Sequence, residues 1–317
     1  MITRIEHNQP SNVLRIEYML GNTCNQKCSY CFPGCNDGTV DFPDLEIVKT
    51  NLKRVLDHYL KNGKDTFNFY MVGGEPTLWD DFLPLCEWLA SNYNTVIEIS
   101  TNATRGILWW QKAARVIDHI NISVHHEYAK VNKIMKLADY LYSAGKFVNV
   151  DVLMDPDNFE KCENIVELYT TMSINKWPLV AKSVLYNGQT RYTIDQLKYF
   201  EDPVKQYPDK SWFEATVKKP RTQIKIYGDE ITTTNNDGYI IQNNLNYFKG
   251  WMCNLGVDHV VISGSGTLKG NCGQILFEKE YNLYDKDFVF EPKIQPTVCK
   301  QQICNCSGET MITKWKA

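Results

Sequence analysis

The chain has no apolar stretch of the ~18–20 residues that a membrane span requires. The segment Met1 to Val13 is polar and lacks the apolar centre of a secretory signal. A cytoplasmic location, with no membrane partner, is the default expectation. No basic run stands out. The formal charge of −3 removes the electrostatic reason to expect nucleic acid as a routine partner. There is no internal repeat and no low-complexity tract. The remaining composition is that of a globular protein, and 317 residues suffice for one large domain and a smaller one.

What is abundant is cysteine, with 11 residues. Without a secretory signal, clustered cysteines more often bind metal or carry out redox chemistry than form disulfides. These are clustered: four lie between positions 24 and 35 and three between 299 and 306. Cys86 and Cys162 stand apart in helical stretches and read as buried thiols. Cys35 reads as a loop thiol.

Through residue 190 strand-like and helix-like segments alternate. The strand candidates are Leu14–Leu20, Phe67–Val72, Val96–Ser100, Ile120–Val124, Val148–Met154 and Leu179–Leu185. Helical stretches at Leu45–Leu60, Leu78–Ala90, Ala129–Ala144 and Asn158–Tyr169 lie between them. Such alternation builds a parallel sheet from right-handed βαβ units. The count falls short of a closed eightfold barrel and fits an α/β fold of partial (β/α)6 TIM type. The strands are two-faced, with Ile97/Ile99, Ile122/Val124 and Val148/Val150/Val152 on one side. The other side carries Glu98/Ser100/Asn102, Asn121/Ser123/His125 and Asn149/Asp151, with Asn68/Tyr70 and Lys182 in similar polar sets. One face packs on helices, and the other lines a polar cavity or meets water. Ligands in such folds sit at the carboxyl ends of the strands. Beyond residue 190, Pro203, Pro208, Pro220 and the polar run Thr232–Gly238 break the periodicity. Segment 191–250 is read as linking and covering structure. Segment 251–317 is read as a small cysteine-rich β subdomain, with short strands at His259–Ile262 and Thr267–Lys269.

Directly after the first strand comes Gly21-Asn-Thr-Cys24-Asn-Gln-Lys-Cys28-Ser-Tyr-Cys31-Phe32. Zinc sites commonly take four protein ligands, whereas three thiolates on a four-iron cluster leave one iron open to substrate. The spacing CxxxCxxC, with the aromatic Tyr30 inside it, resembles the signature of the radical S-adenosylmethionine (radical SAM) superfamily. The resemblance covers residues 14–190 as architecture. It implies a 4Fe-4S cluster on Cys24, Cys28 and Cys31 with S-adenosylmethionine at the open iron. Met71-Val-Gly73-Gly74-Glu75-Pro76 is similar to the family's GGEP motif, whose backbone holds the amino group of the cosubstrate. Glycines permit close approach of a ligand, Glu75 can pair with a cation, and Pro76 suits a helix start. In similar enzymes the strand ends at Ser100, Asn102 and Ser123 contact the methionine carboxylate and ribose. His125 departs from the family's pattern and reads equally as a substrate contact or a hydrogen-bonded strand-end residue. Tyr30 and Phe32 are expected to flank adenine and cluster, or to exclude water from them.

Cys253 and Cys272 bracket Gly264-Ser-Gly266-Thr-Leu-Lys-Gly270, followed by Cys299, Cys304 and Cys306. This resembles the "twitch" subdomain, a short form of the SPASM domain, and implies an auxiliary 4Fe-4S cluster. Cys253, Cys272 and Cys304 come first as ligands, and Cys299 and Cys306 compete for the last place. A structural zinc site is the alternative. The reaction implied is reductive cleavage of S-adenosylmethionine to a 5′-deoxyadenosyl radical that takes hydrogen from substrate. Oxidation or cross-linking of a peptide or small metabolite would follow, with Lys182, Asp151, His125 and Tyr70 as candidate contacts. An electron donor such as flavodoxin or ferredoxin is implied. The short segment before Leu14 leaves little room for a leader-binding domain. The rival readings are an RNA-modifying radical enzyme and a non-catalytic electron-transfer module.

Overall fold

The computed structural model describes residues 2–173, 176–184, 191–206, 223–234, 239–270, 272–304 and 312–316. A short strand β1 (Arg4–His7) precedes β2 (Val13–Leu20). Then strands and helices alternate: α1 (Leu45–Lys61), β3 (Thr66–Gly73), α2 (Phe82–Asn92), β4 (Thr95–Thr101), α3 (Ile107–Ala113), β5 (His119–Val124), α4 (Val131–Ser143), β6 (Phe147–Met154), α5 (Phe159–Ser173) and β7 (Leu179–Ser183). Strands β2 to β7 are parallel and adjacent in chain order. The resulting α/β fold contains a mixed nine-stranded sheet, because β8 (Val204–Gln206) adds antiparallel beside β7.

Every strand of this run buries one face. Leu14, Ile16, Tyr18 and Leu20, then Phe67, Phe69 and Met71, then Ile97 and Ile99, and Ile120, Ile122 and Val124 all lie in one core. Full burial of a large apolar side chain is worth ~1.5–3 kcal/mol, and a one-residue slip would turn each such set outward. Register is therefore strongly fixed. Helix α1 covers this face with Val48, Leu52, Val55, Leu56 and Tyr59, a stripe at helical spacing. Its start is capped by Asp44, whose carboxylate accepts from the amides of Glu46 and Ile47. The opposite sheet face carries Arg15, Glu17, Asn68, Tyr70, Glu98, Asn121 and Asn149, all half-buried.

Two features lie outside the sequence expectation. First, β12 (His259–Ile262) pairs in parallel with β2, and β13 (Leu268–Lys269) closes that edge. Both strands were expected in a separate C-terminal subdomain, yet they extend the barrel sheet. Continuous burial of Val260, Val261 and Ile262 makes this possible. Second, an antiparallel sheet joins distant segments in the order β10 (Ile231–Thr234), β9 (Ile224–Tyr227), β1, β15 (Lys314–Trp315), β11 (Met252–Cys253), β14 (Thr297–Val298). The helix expected from Leu78 starts at Phe82, because Pro76–Leu78 forms a 3-10 turn. Leu185, Pro208, Pro220, Asn235–Gly238 and Cys306 lie outside the described residues. No helix among the described residues is long and apolar enough to cross a membrane.

Candidate active site

The carboxyl ends of β2, β3, β4 and β5 converge on the loop that carries Cys24, Cys28 and Cys31. That loop is folded back by Asn22. Its side-chain amide donates to the Gly34 carbonyl (2.7 Å), Asp37 Oδ1 (2.6 Å) and Thr39 Oγ1 (3.0 Å), and its oxygen accepts from the Val40 amide (2.8 Å). Asn22 was not anticipated; its only sequence signal is its place between a strand end and the first cysteine. A tight turn, Cys31 amide to Cys28 carbonyl (3.1 Å), closes the triplet. All three thiols are half-buried. Burial holds each above the usual thiol range, and Cys28 is pushed up to about 12, with Glu127, Cys31 and Cys24 adding to the rise. Burial disfavours the thiolate at all three positions, so a positive centre beside them would be needed to favour it. That donor set fits an iron–sulfur cluster.

The Gly73–Pro76 turn is strapped to this loop. A Cβ on Gly74 would lie 2.3 Å from the Thr23 carbonyl oxygen, and one on Gly73 would lie 2.7 Å from the Leu20 oxygen. The amide of Glu75 donates to Thr23 O (2.8 Å). The close approach these glycines allow is thus taken up by the cysteine loop's own backbone. Glu75 is 1 % exposed. Its carboxylate accepts from the Thr77 amide (3.2 Å) and hydroxyl (2.6 Å), the Thr101 hydroxyl (2.7 Å) and the Asn102 amide (2.6 Å). Burial raises its pKa, and these hydrogen bonds oppose the rise. Glu75 is committed to holding the end of β4, and Pro76 opens the turn behind it.

Asn102, at that strand end, points its amide nitrogen at Cys24 Sγ (3.8 Å) and Asn25 Oδ1 (2.8 Å). It lines a cavity of about 210 Å³ with Gln26, Ser123, His125, Tyr128 and Lys133. Ser100 faces inward instead and bonds to the Tyr70 hydroxyl (2.8 Å). Tyr30 is buried, stacked on His125 (5.8 Å between ring centres) and His126 (5.6 Å). Its hydroxyl meets His125 Nδ1 at 3.1 Å. Burial lowers the His125 pKa to about 4, so the ring is neutral at pH 7. His126 in turn reaches Asp155 Oδ2 (2.9 Å). Phe32 takes no part in this stack and is 57 % exposed.

Below the cavity lies the polar sheet face. Asp151 is buried, pairs with Lys182 Nζ (3.2 Å) and accepts from Asn149. Asp151 stands in register with Ser123, which connects the lumen to the cavity. Asn121 donates to Glu98 (2.8 Å), and the Arg15 guanidinium sits over the Tyr70 ring at 5.5 Å. Of the four candidate substrate contacts, Asp151 and Lys182 form one pair, while Tyr70 pairs with Ser100 and His125 with Tyr30. Arg15 and Glu17 were missed because β2 reads as a mainly apolar strand.

Cys253, Cys272, Cys299 and Cys304 line one apolar cavity with Phe248, Gln274, Ile312 and Lys314. Short strands bring them together: β11 carries Cys253, β14 runs into Cys299, and β15 places Lys314 opposite Cys253. Cys306, the competitor of Cys299, lies outside the described residues. Among the described residues no three His, Cys, Asp or Glu side chains are grouped so as to hold a single metal ion.

Residues 18–169 match the model of the Radical SAM superfamily, so the chain carries a domain of that superfamily. It is similar to the GTP 3′,8-cyclase of Pasteurella multocida (strain Pm70), 30 % identical over 107 residues, which are 32 % of this chain and 30 % of the relative. The GTP 3′,8-cyclase of Haemophilus influenzae (strain PittEE) is 27 % identical over 137 residues, 38 % of this chain and 39 % of the relative. The matches therefore span only about a third of these curated relatives. Among solved structures, anSMEcpe with bound AdoMet superposes with a TM-score of 0.54 at 14 % identity, covering 86 % of this chain and 78 % of that one. Streptococcus suis SuiB bound to the precursor peptide SuiA gives 0.53 at 16 % identity, covering 88 % and 64 %. At these identities the likeness is one of fold.

Proposed function

We propose that the chain is a radical SAM enzyme that oxidises or cross-links a peptide or small metabolite held in the barrel lumen. The observation that carries this reading is the meeting of three thiols, the Gly73–Pro76 turn and Asn102 at the mouth of a polar lumen. A 4Fe-4S cluster held by Cys24, Cys28 and Cys31, with S-adenosylmethionine on its open iron, would supply reductive C–S cleavage to a 5′-deoxyadenosyl radical there. The chain's own residues do the rest. Asn102 and Ser123 line the cosubstrate cavity, Gly73 and Gly74 let the turn pack against the backbone of the cysteine loop, and Glu75 fixes the strand end that presents Asn102. Tyr30, clamped by His125 and His126, walls the cysteine loop from water. Asp151 and Lys182 offer a charge pair on which a polar substrate group can be oriented.

The four cysteines around the second cavity suit an auxiliary 4Fe-4S cluster, in keeping with a twitch-type segment at 251–317 following the 1–190 core and the 191–250 link. Such a cluster would accept an electron from the substrate radical and favour net oxidation. SuiB's bound precursor peptide makes a peptide a reasonable substrate class, and the GTP 3′,8-cyclase relatives keep a small metabolite in view. The decisive experiment is anaerobic: reconstituted, reduced protein with S-adenosylmethionine should release 5′-deoxyadenosine. No release would end the reading. Cys24→Ala and Cys272→Ala should each lose about four irons, one cluster's worth.

A further inference from the structure

We propose that the groove between α3 and α4 is the docking surface for an acidic one-electron carrier protein that reduces the Cys24–Cys28–Cys31 site. The proposal rests on the radical-enzyme reading and says where its electron enters.

The groove encloses about 510 Å³ and is floored by Ile107, Trp110 and Leu137. Arg105, Lys133 and Lys136 line it, with no carboxylate. The adjoining cavity, which shares Lys133, adds Lys130 and again holds no carboxylate. Four cations thus sit together on a chain whose net charge is −3, so the gathering does not follow from composition. Asp80 reaches Arg105 at 3.6 Å but is almost wholly exposed, which makes that pair weak. Within the groove Ile107 is 47 % exposed, and its chain neighbour Leu108 is 73 % exposed, although α3 has a buried side available at Trp110 and Ala113. An apolar centre within a charged rim is the anatomy of a transient protein interface. A cationic rim steers an acidic partner and sets its association rate.

The groove is also in short contact with the cysteine loop. Lys133 Nζ donates to the Thr104 carbonyl (2.7 Å). The Thr104 hydroxyl accepts from Asn25 Nδ2 (2.8 Å) and donates to Asn102 Oδ1 (2.8 Å). Asn102 touches Cys24 Sγ. Two residues therefore separate the rim of the groove from the first thiol. A carrier seated here gives up one electron and is oxidised by one unit; the site gains that electron, and no proton or group moves between the proteins.

The test uses the full reconstituted chain with Lys136→Glu and, separately, Ile107→Asp. Neither residue lines the cosubstrate cavity. 5′-Deoxyadenosine formation is driven in parallel by dithionite and by a purified acidic flavodoxin kept reduced. Carrier-driven turnover at low salt should fall roughly tenfold in each variant, while dithionite-driven turnover stays at the wild-type rate. Carrier-driven turnover of the wild type should also fall steeply with salt. Equal carrier-driven rates in wild type and both variants would overturn the proposal. So would a loss of salt-sensitive RNA binding in Lys136→Glu with carrier-driven turnover intact, which would make the groove an RNA contact. A wild type inactive with dithionite removes the radical-enzyme reading itself, and the docking proposal with it.

Discussion

Asn102 holds its side-chain amide 3.8 Å from the sulfur of Cys24. The contact is built from two directions. Glu75 fixes the Asn102 backbone amide, and Asn25 fixes its side chain. An N–H directed at a cluster thiolate stabilises the reduced, more negative state, and hydrogen bonds to sulfur are among the levers that set cluster potentials. If Cys24 ligates a 4Fe-4S cluster, Asn102→Ala should therefore lower its potential and slow reductive cleavage. A single hydrogen bond of ~1 kcal/mol corresponds to a change of roughly fivefold. Redox titration followed by electron paramagnetic resonance checks this, and an unshifted midpoint would show that the amide serves only the fold.

Gly74→Ala tests the strap between the two motifs. The added methyl would sit 2.3 Å from a backbone oxygen, so the cysteine loop must move. If the triplet and the second cysteine set each hold a cluster, loss of about four irons from the first is expected, with the second set still loaded. A Gly106→Ala control, where the added Cβ meets nothing within 4 Å, should retain both.

Buried Glu75 makes a stability prediction. Glu75→Ala strands the Thr77 amide and hydroxyl, the Thr101 hydroxyl and the Asn102 amide. Each stranded buried donor costs ~1–3 kcal/mol, moderated where a hydroxyl can rotate to a new partner. A net loss of ~3 kcal/mol should lower Tm by about 4–5 °C in a chain of this length. Glu75→Gln keeps the acceptor oxygen and should fall between the alanine variant and the wild type in a thermal scan.

The barrel was legible because its strands are amphipathic in a manner unusual for parallel sheets. Alternation at Val96–Ser100 or Ile120–Val124 declares both the buried face and the lumen. The cysteine loop was legible through spacing alone. What escaped had no local signal. Strand β1 is four residues whose partners, β9 and β15, lie more than two hundred residues away in the chain. His259–Ile262 reads as a short apolar strand but says nothing of β2, its neighbour. Asn22 and His126 act through contacts that only tertiary folding creates, and Glu75 looks like a ligand-facing carboxylate until its four donors are seen.

The buried histidines predict how stability responds to acid. Burial lowers the His259 pKa from 6.5 to about 3, assisted by the positive charge of Arg15, and lowers His7 and His125 each to about 4. In the unfolded chain these rings protonate near 6.5, while in the fold they stay neutral. Between about pH 6.5 and 4 the unfolded state binds more protons, so stability falls as pH drops through that window. His259→Gln should flatten the slope of Tm against pH between 6.5 and 4. A slope equal to the wild type's would mean that the ring is protonated within the fold.

Lys314 offers a test of the second cysteine cavity that leaves every cysteine in place. It is 2 % exposed, lies opposite Cys253 in the sheet and holds its ammonium 4.5 Å from the Phe248 ring. A buried ammonium is costly without compensating charge, and four thiolates around the same cavity would provide it. If those cysteines hold an auxiliary cluster, Lys314 stabilises its reduced state and favours thiolate over thiol. Lys314→Met keeps the volume and removes the charge. The variant should show a lower midpoint potential for the second cluster, an unchanged first cluster and slower recovery of iron during reconstitution. A variant whose second-cluster potential and iron recovery both match the wild type would show that the ammonium does not serve the cysteines.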